Sequence, residues 1–261
     1  MRGTTFKQDI NLLDKPIWTI SEHKDKRILS DREIIFSNDN SNGKFIIRYG
    51  LSLAPNHVNI KIFYYLFMRC QQNGSDSISI TRHKILSDCG LATNSENYEK
   101  IIETARIFTG MQIEAIDCWY HNKQRKTMIF TIMRNFIYNE DTNLIFFQLN
   151  DSFLEMLKNS LFIQYINFNE YKKLKKPISA RLYELLKTKL TINNIWNIEC
   201  FKLAEKLTIE SKFVSEIIRK VTVGIDEINK RTSFLIAMEI HECKSNKKSK
   251  VLVFKKIKQL K

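Results

Sequence analysis

The chain has 261 residues, enough for one large domain or two modest ones, and its 43% hydrophobic and 27% charged residues are typical of a soluble globular protein. No apolar run reaches the roughly 18–20 residues that span a bilayer, the N-terminus lacks the apolar core of a signal peptide, and the five cysteines are too scattered for a zinc site or a disulfide framework. We therefore expect a cytoplasmic protein with reduced thiols.

The formal net charge of +14 is unevenly distributed along the chain. Residues 1–171 hold 20 Lys and Arg against 19 Asp and Glu, whereas residues 172–261 hold 22 against 9, a net of +13. This asymmetry favours a polyanionic partner for the C-terminal third. The alternative is a solvated basic surface in a lysine-biased composition.

The first half of the chain shows the element order of a winged helix, which is a helix-turn-helix followed by a β-hairpin. Residues 1–43 are mixed and polar and are predicted to form an N-terminal arm or short strands, and Lys44–Leu53 is a strand candidate. The next elements are a helix opened by Pro55 and Asn56 that ends near Gln71–Gly74, and a short strand at Ile78–Ile80. Two helices follow, one from Thr81 to Gly90 and one at Glu96–Phe108 that is capped by Asn94 or Ser95. The last elements are strands Gln112–Tyr120 and Thr127–Arg134, which lie around a basic tip at 121–126. A further β-like run, Leu144–Leu149, and a helix at Asp151–Leu157 fall in a segment, 135–168, that is predicted to connect the two halves.

The second half repeats this order. Its predicted elements are a helix from Pro177 to about Leu190, a strand at Trp196–Cys200, a helix at Phe201–Leu207, a long helix capped by Ser211, and strands Phe234–Ile240 and Lys250–Ile257 around a basic tip at Glu242–Ser249. Corresponding positions lie 116 to 123 residues apart, as Pro55 and Pro177 do at 122. A nearly constant offset over six elements indicates an internal duplication.

Two stretches resemble a known family. Tyr49–Cys70, followed by Ser77–Leu91, is similar to the start of the first winged helix in plasmid replication initiators that bind repeated origin sites, or iterons. Tyr171–Lys187 resembles the second-domain signature of the same proteins, a helix reading R-L-Y-x-L-L, here Arg181–Leu186.

The resemblance implies an α+β fold of two tandem winged-helix domains in quasi-twofold arrangement, with residues 44–160 forming the first domain and its connecting segment. Residues 161–261 would form the second, the main DNA-binding domain. It also implies a protein that binds repeated sites in double-stranded DNA, recruits the host initiator and helicase, and exists as a homodimer that represses its own promoter in equilibrium with a monomer that initiates.

The second copy supplies the stronger DNA-binding candidates. The helix from Ser211 is predicted to present Lys212, Ser215, Arg219 and Lys220 outward, with Arg219 suited to bidentate pairing with guanine. Lysines on the hairpin and in the turn before the first helix suit phosphates; they are Lys244, Lys247, Lys248 and Lys250, and Lys175 and Lys176. The alternative for all of them is a solvated basic face.

The first copy is ambiguous. Its outward helical residues include Asn97, Lys100 and Thr104, but three carboxylates, Glu96, Glu99 and Glu103, would repel phosphates. Two hypotheses remain equal: contact with DNA through Arg82, Lys84 and the basic tip, which carries Lys123, Arg125 and Lys126, or a role in dimerisation or partner docking.

An enzyme is not predicted. The five histidines are scattered without an H-x-H pair, the Tyr64–Tyr65 pair has no metal ligands beside it, and no phosphate-binding G-x-x-x-x-G-K-[ST] loop occurs. We therefore expect no catalytic residue, metal or cofactor. The alternatives are a winged-helix transcriptional regulator, a rolling-circle nicking enzyme and a protein–protein adaptor.

Overall fold

The computed structural model describes residues 4–15, 17–21, 32–38, 41–49, 53–121, 124–160, 163–243 and 248–257. The chain divides into two compact units. The first unit takes residues 1–11 and 21–168, and the second takes residues 12–20 and 169–261. A short N-terminal segment, residues 12–20, therefore belongs to the second unit although it lies between the two parts of the first unit in sequence.

The described helices are α1 (Ile10–Asp14), α2 (His57–Asn73), α3 (Arg82–Cys89), α4 (Ser95–Gly110), α5 (Asp151–Asn159), α6 (Phe168–Tyr171), α7 (Pro177–Ile192), α8 (Cys200–Lys206) and α9 (Val214–Arg231). The described strands are β1 (Thr5–Asp9), β2 (Arg32–Asn38), β3 (Ser41–Arg48), β4 (Ser77–Thr81), β5 (Gln112–His121), β6 (Gln124–Thr131), β7 (Met133–Asn139), β8 (Leu144–Leu149), β9 (Ile163–Asn167), β10 (Ile195–Glu199), β11 (Ile236–Glu242) and β12 (Lys250–Lys256). None of these helices is long and apolar enough to cross a membrane.

The helices of the first unit begin and end where the sequence predicts. Asn56 caps α2 by accepting from the backbone N–H groups of Val58 and Asn59, and α2 stops at Gly74, whose φ of 63° suits glycine. Thr81 caps α3, which stops at Gly90 with φ 69°. These caps fix the entry and exit of each helix and so confirm the predicted helix-turn-helix.

The hairpin of the first winged helix is not the predicted one. Strands β5 and β6 belong to a four-stranded sheet of order β2-β3-β5-β6, whereas the strand between α2 and α3, β4, pairs with β8 in a separate sheet of order β4-β8-β7. The wing of the first unit is therefore β7–β8, and its strand β7 lies in the segment that was predicted to connect the two halves. That prediction and the placement of the wing at 112–134 were wrong.

The second unit has the same core arrangement. Its sheet has the order β10-β12-β11, so the strand between α7 and α8 pairs with the second strand of the hairpin, as β4 does with β8. The register places Ile80 opposite Ile145 in the first unit and Ile198 opposite Leu252 in the second. Helices α7 and α9 approach closely at Gly224, where a Cβ atom would lie 3.2 Å from Cδ2 of Leu182.

The offset between equivalent elements explains the misplaced wing. The starts of α2 and α7, β4 and β10, α3 and α8, and α4 and α9 are 118 to 120 residues apart, but those of β7 and β11 are 103 apart and those of β8 and β12 are 106 apart. The strands β5 and β6 are thus extra elements placed between the helix-turn-helix and the wing of the first unit.

Candidate nucleic-acid interface

Helix α9 occupies the recognition-helix position of the second unit. It follows α8 after a turn that includes Thr208, whose φ is 55°, and it begins at Val214 rather than at the predicted cap, Ser211. Ser211 instead accepts from the backbone N–H of Phe213 at 3.1 Å and donates to the Glu216 carboxylate at 2.6 Å. The predicted cap was wrong, yet its hydroxyl still fixes the first turn of α9.

The two sides of α9 are sharply different. Ile217, Val221 and Ile228 are buried, since they fall on one face of a 3.6-residue period. Lys212, Ser215 and Arg219 are exposed. Lys220 is partly covered and forms an ion pair with Glu216 at 2.8 Å.

The hairpin β11–β12 carries further cations of the predicted set. Lys250 is paired with Glu242 across the hairpin, and Lys248 is exposed at the end of the described part of the turn. Lys244 and Lys247 lie outside the described residues. The wing therefore presents lysine charge beside a carboxylate.

The turn before α7 differs from a phosphate site in one respect. The backbone N–H groups of Lys175 and Lys176 each donate to the carboxylate of Glu227, both at 3.0 Å. Burial alone would raise the pKa of Glu227, but these hydrogen bonds and the charge of Arg231 hold the pKa below its ordinary value. The backbone donors are thus occupied by an ionised carboxylate, and only the exposed lysine side chains are available to an anion.

Three candidate cations of the first unit, Arg82, Lys84 and Lys100, are engaged within that unit. The Arg82 guanidinium lies 4.1 Å from the ring centroid of Tyr138 and 4.9 Å from that of Tyr98, and its Nε donates to Asn143 at 3.3 Å. Two lysines form ion pairs along their helices, Lys84 with Asp88 at 2.9 Å and Lys100 with Glu103 at 3.0 Å.

Two polar residues of α4 also have local roles. Asn97 donates through its side chain to the carbonyl of Ala92 at 2.8 Å. Thr104, expected on the outward side, is buried and accepts from Asn59 at 3.0 Å, so that expectation was wrong.

The predicted basic tip of the first unit is not on its wing. Arg125 and Lys126 are placed by the backbone on β6, opposite Tyr120 and Trp119, and Lys123 lies outside the described residues. The turn of the actual wing, β7–β8, instead exposes Glu140 and Asp141. The two wings therefore carry opposite charge at their tips.

Sequence reasoning missed a buried polar network around the family signature in α7. Arg181 donates to Glu184 at 2.8 Å and to the backbone carbonyl of Leu13 at 2.8 Å. Glu184 also accepts from the Trp18 indole at 3.0 Å and from the Tyr171 hydroxyl at 2.9 Å. The signature thus fastens residues 12–20 to the second unit, and the only local sequence signal is the i,i+3 spacing of Arg181 and Glu184.

The described parts of the chain also bring together no group of three or more His, Cys, Asp or Glu side chains that could hold a metal ion. The exposed basic helix and wing of the second unit are what the described geometry offers for recognition of a polyanion.

Comparison with family models identifies one family. A family model described as initiator replication protein, WH1, matches residues 39–187, which is more than half of the chain. No curated protein sequence matches significantly.

Solved structures extend the similarity to nearly the whole chain. Domains 2 and 3 of RctB align over 95% of this chain and 98% of theirs with 14% identity and a TM-score of 0.59. The Pi initiator protein, solved in complex with iteron DNA, aligns over 78% of this chain and 92% of its own with 15% identity and a TM-score of 0.58. These structures confirm the α+β fold of two tandem winged helices, and the family model confirms the resemblance found in the sequence: the chain belongs to the initiator replication protein family.

Proposed function

We propose that this replication initiator serves a plasmid or similar replicon, and that it acts in the cytoplasm by binding repeated origin sites in double-stranded DNA without catalysing a covalent step. The observation that supports this proposal is the exposed face of α9, with Lys212, Ser215 and Arg219, beside a lysine-bearing wing. Residues 161–261 would be the main DNA-binding domain.

The geometry of α9 suits base reading. A helix fits the major groove, and the residues of its first turns reach the base edges. Arg219 is exposed on the second turn, where a guanidinium can pair with O6 and N7 of guanine. Ser215, one turn earlier on the same face, can donate to or accept from either base type.

Phosphate contacts would supply most of the affinity. Lys212, Lys248 and the exposed Lys175 and Lys176 lie in the part of the chain with a net charge of +13. Each neutralised phosphate releases about one counterion, so about eight contacts would lower the affinity by several orders of magnitude over a modest rise in salt.

The first unit would contribute less to DNA affinity than the second. Arg82, Lys84 and Lys100 are engaged by partners in the same unit, and the wing tip exposes Glu140 and Asp141, which repel phosphates. This favours dimerisation or partner docking as the main role of the first domain, within residues 44–160. A homodimer in equilibrium with a monomer, and docking of the host initiator and helicase, would follow from membership of the plasmid initiator class.

The direct test is protection footprinting on the DNA that flanks the gene, where we expect regular repeats to be protected. On such a repeat, Arg219→Ala should weaken specific binding by about 1–3 kcal/mol and relax the preference for one base pair. Lys230→Ala removes the same charge from the exposed C-terminal end of the same helix and is the matched control, expected to change specificity little. Equal effects of the two variants would contradict the placement of α9 in the groove.

Two other functions make different predictions. A transcriptional regulator with this fold would bind the repeats but would not support replication of a plasmid that carries only this gene and its upstream repeats, whereas an initiator supports it. A nicking enzyme would convert supercoiled origin DNA to relaxed circles in the presence of a divalent metal, and we expect no conversion.

A further inference from the structure

One large apolar side chain in the second unit is exposed to solvent at the start of the recognition helix. Phe213 is 70% exposed, more than any other large hydrophobic residue in the described part of the chain. It immediately precedes the first residue of α9 and follows the exposed Lys212. A single exposed phenylalanine that follows an exposed lysine is a different feature from an apolar patch that a protein partner would cover.

Hydrogen bonds hold the backbone at Phe213 in place. Its N–H donates to the hydroxyl of Ser211 at 3.1 Å, and its carbonyl accepts from the N–H of Ile217 at 3.2 Å. Ser211 is itself held by the Glu216 carboxylate at 2.6 Å, and Ile217 is fully buried. The ring is therefore presented from a fixed point at the start of the recognition helix.

The major groove offers one apolar group to such a ring. The base edges there are read mainly through hydrogen-bond donors and acceptors, and the one carbon group that projects from them is the 5-methyl group of thymine. We propose that Phe213 is a specificity-determining residue whose ring packs against a thymine methyl group. This inference rests on the proposed function, because it requires α9 to enter the major groove.

The proposed contact would work beside that of Arg219. Arg219 is exposed on the second turn of α9 and Phe213 is exposed immediately before its first residue; the guanidinium can pair with guanine, and the ring would exclude water from a thymine methyl group. Two positions of the site would thus be read by different chemistry, one by hydrogen bonds and one by apolar contact.

The experiment exchanges thymine for deoxyuridine, which removes only the methyl group. The full chain first selects sites from a pool of randomised duplexes, and each dT of the selected site is then replaced by dU in turn. For the unaltered protein, one position should lose about fourfold in affinity, which is the effect of one methyl group removed from an apolar contact. Phe213→Ala should bind the thymine site roughly tenfold more weakly and should no longer distinguish dT from dU there.

Two further variants make the result specific. Ile195→Ala removes another apolar side chain, 52% exposed on β10, and should keep the full fourfold sensitivity. Phe213→Leu should keep part of the sensitivity to replacement of dT by dU, because leucine is also apolar. Since Phe213 is exposed, its variants should melt at the same temperature as the unaltered protein.

Three outcomes would overturn the inference: unchanged affinity of Phe213→Ala, an unchanged dU effect in that variant, or no dU effect at any position in the unaltered protein. In each of these cases Arg219→Ala still reports on the proposed function, because it tests entry of α9 into the groove independently of the methyl contact. If no site is selected from the pool at all, the proposed function fails and the thymine contact fails with it.

Discussion

Replacing Glu184 with glutamine should destabilise the second unit strongly. The carboxylate is buried in α7 and accepts hydrogen bonds from Arg181, Trp18 and Tyr171 at 2.8–3.0 Å. Glutamine keeps the shape of the side chain but removes its charge and turns one acceptor oxygen into a donor. The Arg181 guanidinium, which is 0% exposed, would then be buried without its counterion.

The size of the destabilisation depends on the hydrogen bonds that Arg181 retains in the variant. Removing one partner of a buried ion pair costs about 3–5 kcal/mol, because the remaining charge stays out of water. Arg181 still donates to the carbonyls of Leu13 and Lys206, at 2.8 and 3.2 Å, and these contacts offset part of the loss. We therefore expect Glu184→Gln to lower the free energy of unfolding by about 3 kcal/mol, which is a large share of the 5–15 kcal/mol by which a typical domain is stable.

Urea unfolding of the full chain measures this loss, and hydrogen exchange at the Trp18 indole measures its local part. The indole N–H should exchange faster in Glu184→Gln, since its acceptor is weakened. Glu242→Gln is the control, because it removes a carboxylate from an exposed pair with Lys250 and should change the free energy of unfolding little. If the two variants unfold at the same urea concentration, the buried network does not stabilise the unit as the distances indicate.

Three more predictions concern other parts of the two units. Burial alone would raise the pKa of Asp14, but its ion pairs with Lys206 and Lys189 lower the pKa below the ordinary value. The contribution of Asp14 to stability is therefore present above about pH 4 and is lost as the pH falls further. In urea unfolding, the difference in free energy of unfolding between the unaltered protein and Asp14→Asn should have its full value at pH 7 and should decrease below pH 4. Gly224→Leu should cost about 1–3 kcal/mol by overpacking against α7, whereas Thr222→Leu, at an exposed position of the same helix, should melt near the original temperature. Arg82→Ala should loosen the wing turn of the first unit by about 1 kcal/mol, seen as faster amide exchange at 140–143, because a cation–π contact contributes about 0.5–1 kcal/mol and one hydrogen bond is also lost.

Local signals in the sequence were sufficient for the helices. Asn56 and Thr81 cap their helices and Gly74 and Gly90 end them because these residue types satisfy, within a few positions, the backbone groups that a helix terminus leaves open. The two faces of α9 also followed from the 3.6-residue period alone.

Pairings distant in sequence were not predictable in the same way. Both β5–β6 and β7–β8 alternate as hairpins should, and only the pairing of β4 with β8 decides which of them is the wing. Trp18 and Glu184, which are hydrogen-bonded to each other, are 166 residues apart in sequence, so no local pattern predicts their contact. By contrast, the ion pair of Lys84 with Asp88 has the i,i+4 spacing that sequence reasoning can use, although the sequence analysis treated Lys84 only as a candidate DNA contact.

The two winged helices share one fold but differ in the charge at their wing tips, and this difference suits them to different roles. Each unit keeps the same helix-turn-helix and the same three-stranded pairing, so the position of the wing tip relative to its recognition helix is set by the fold. At the first tip the exposed charged residues are Glu140 and Asp141, and at the second the described charged residues include Lys248 and Lys250. Because phosphate repels the first pair and attracts the second, the charges at the wing tips, rather than the folds, are what divide the proposed work between the units.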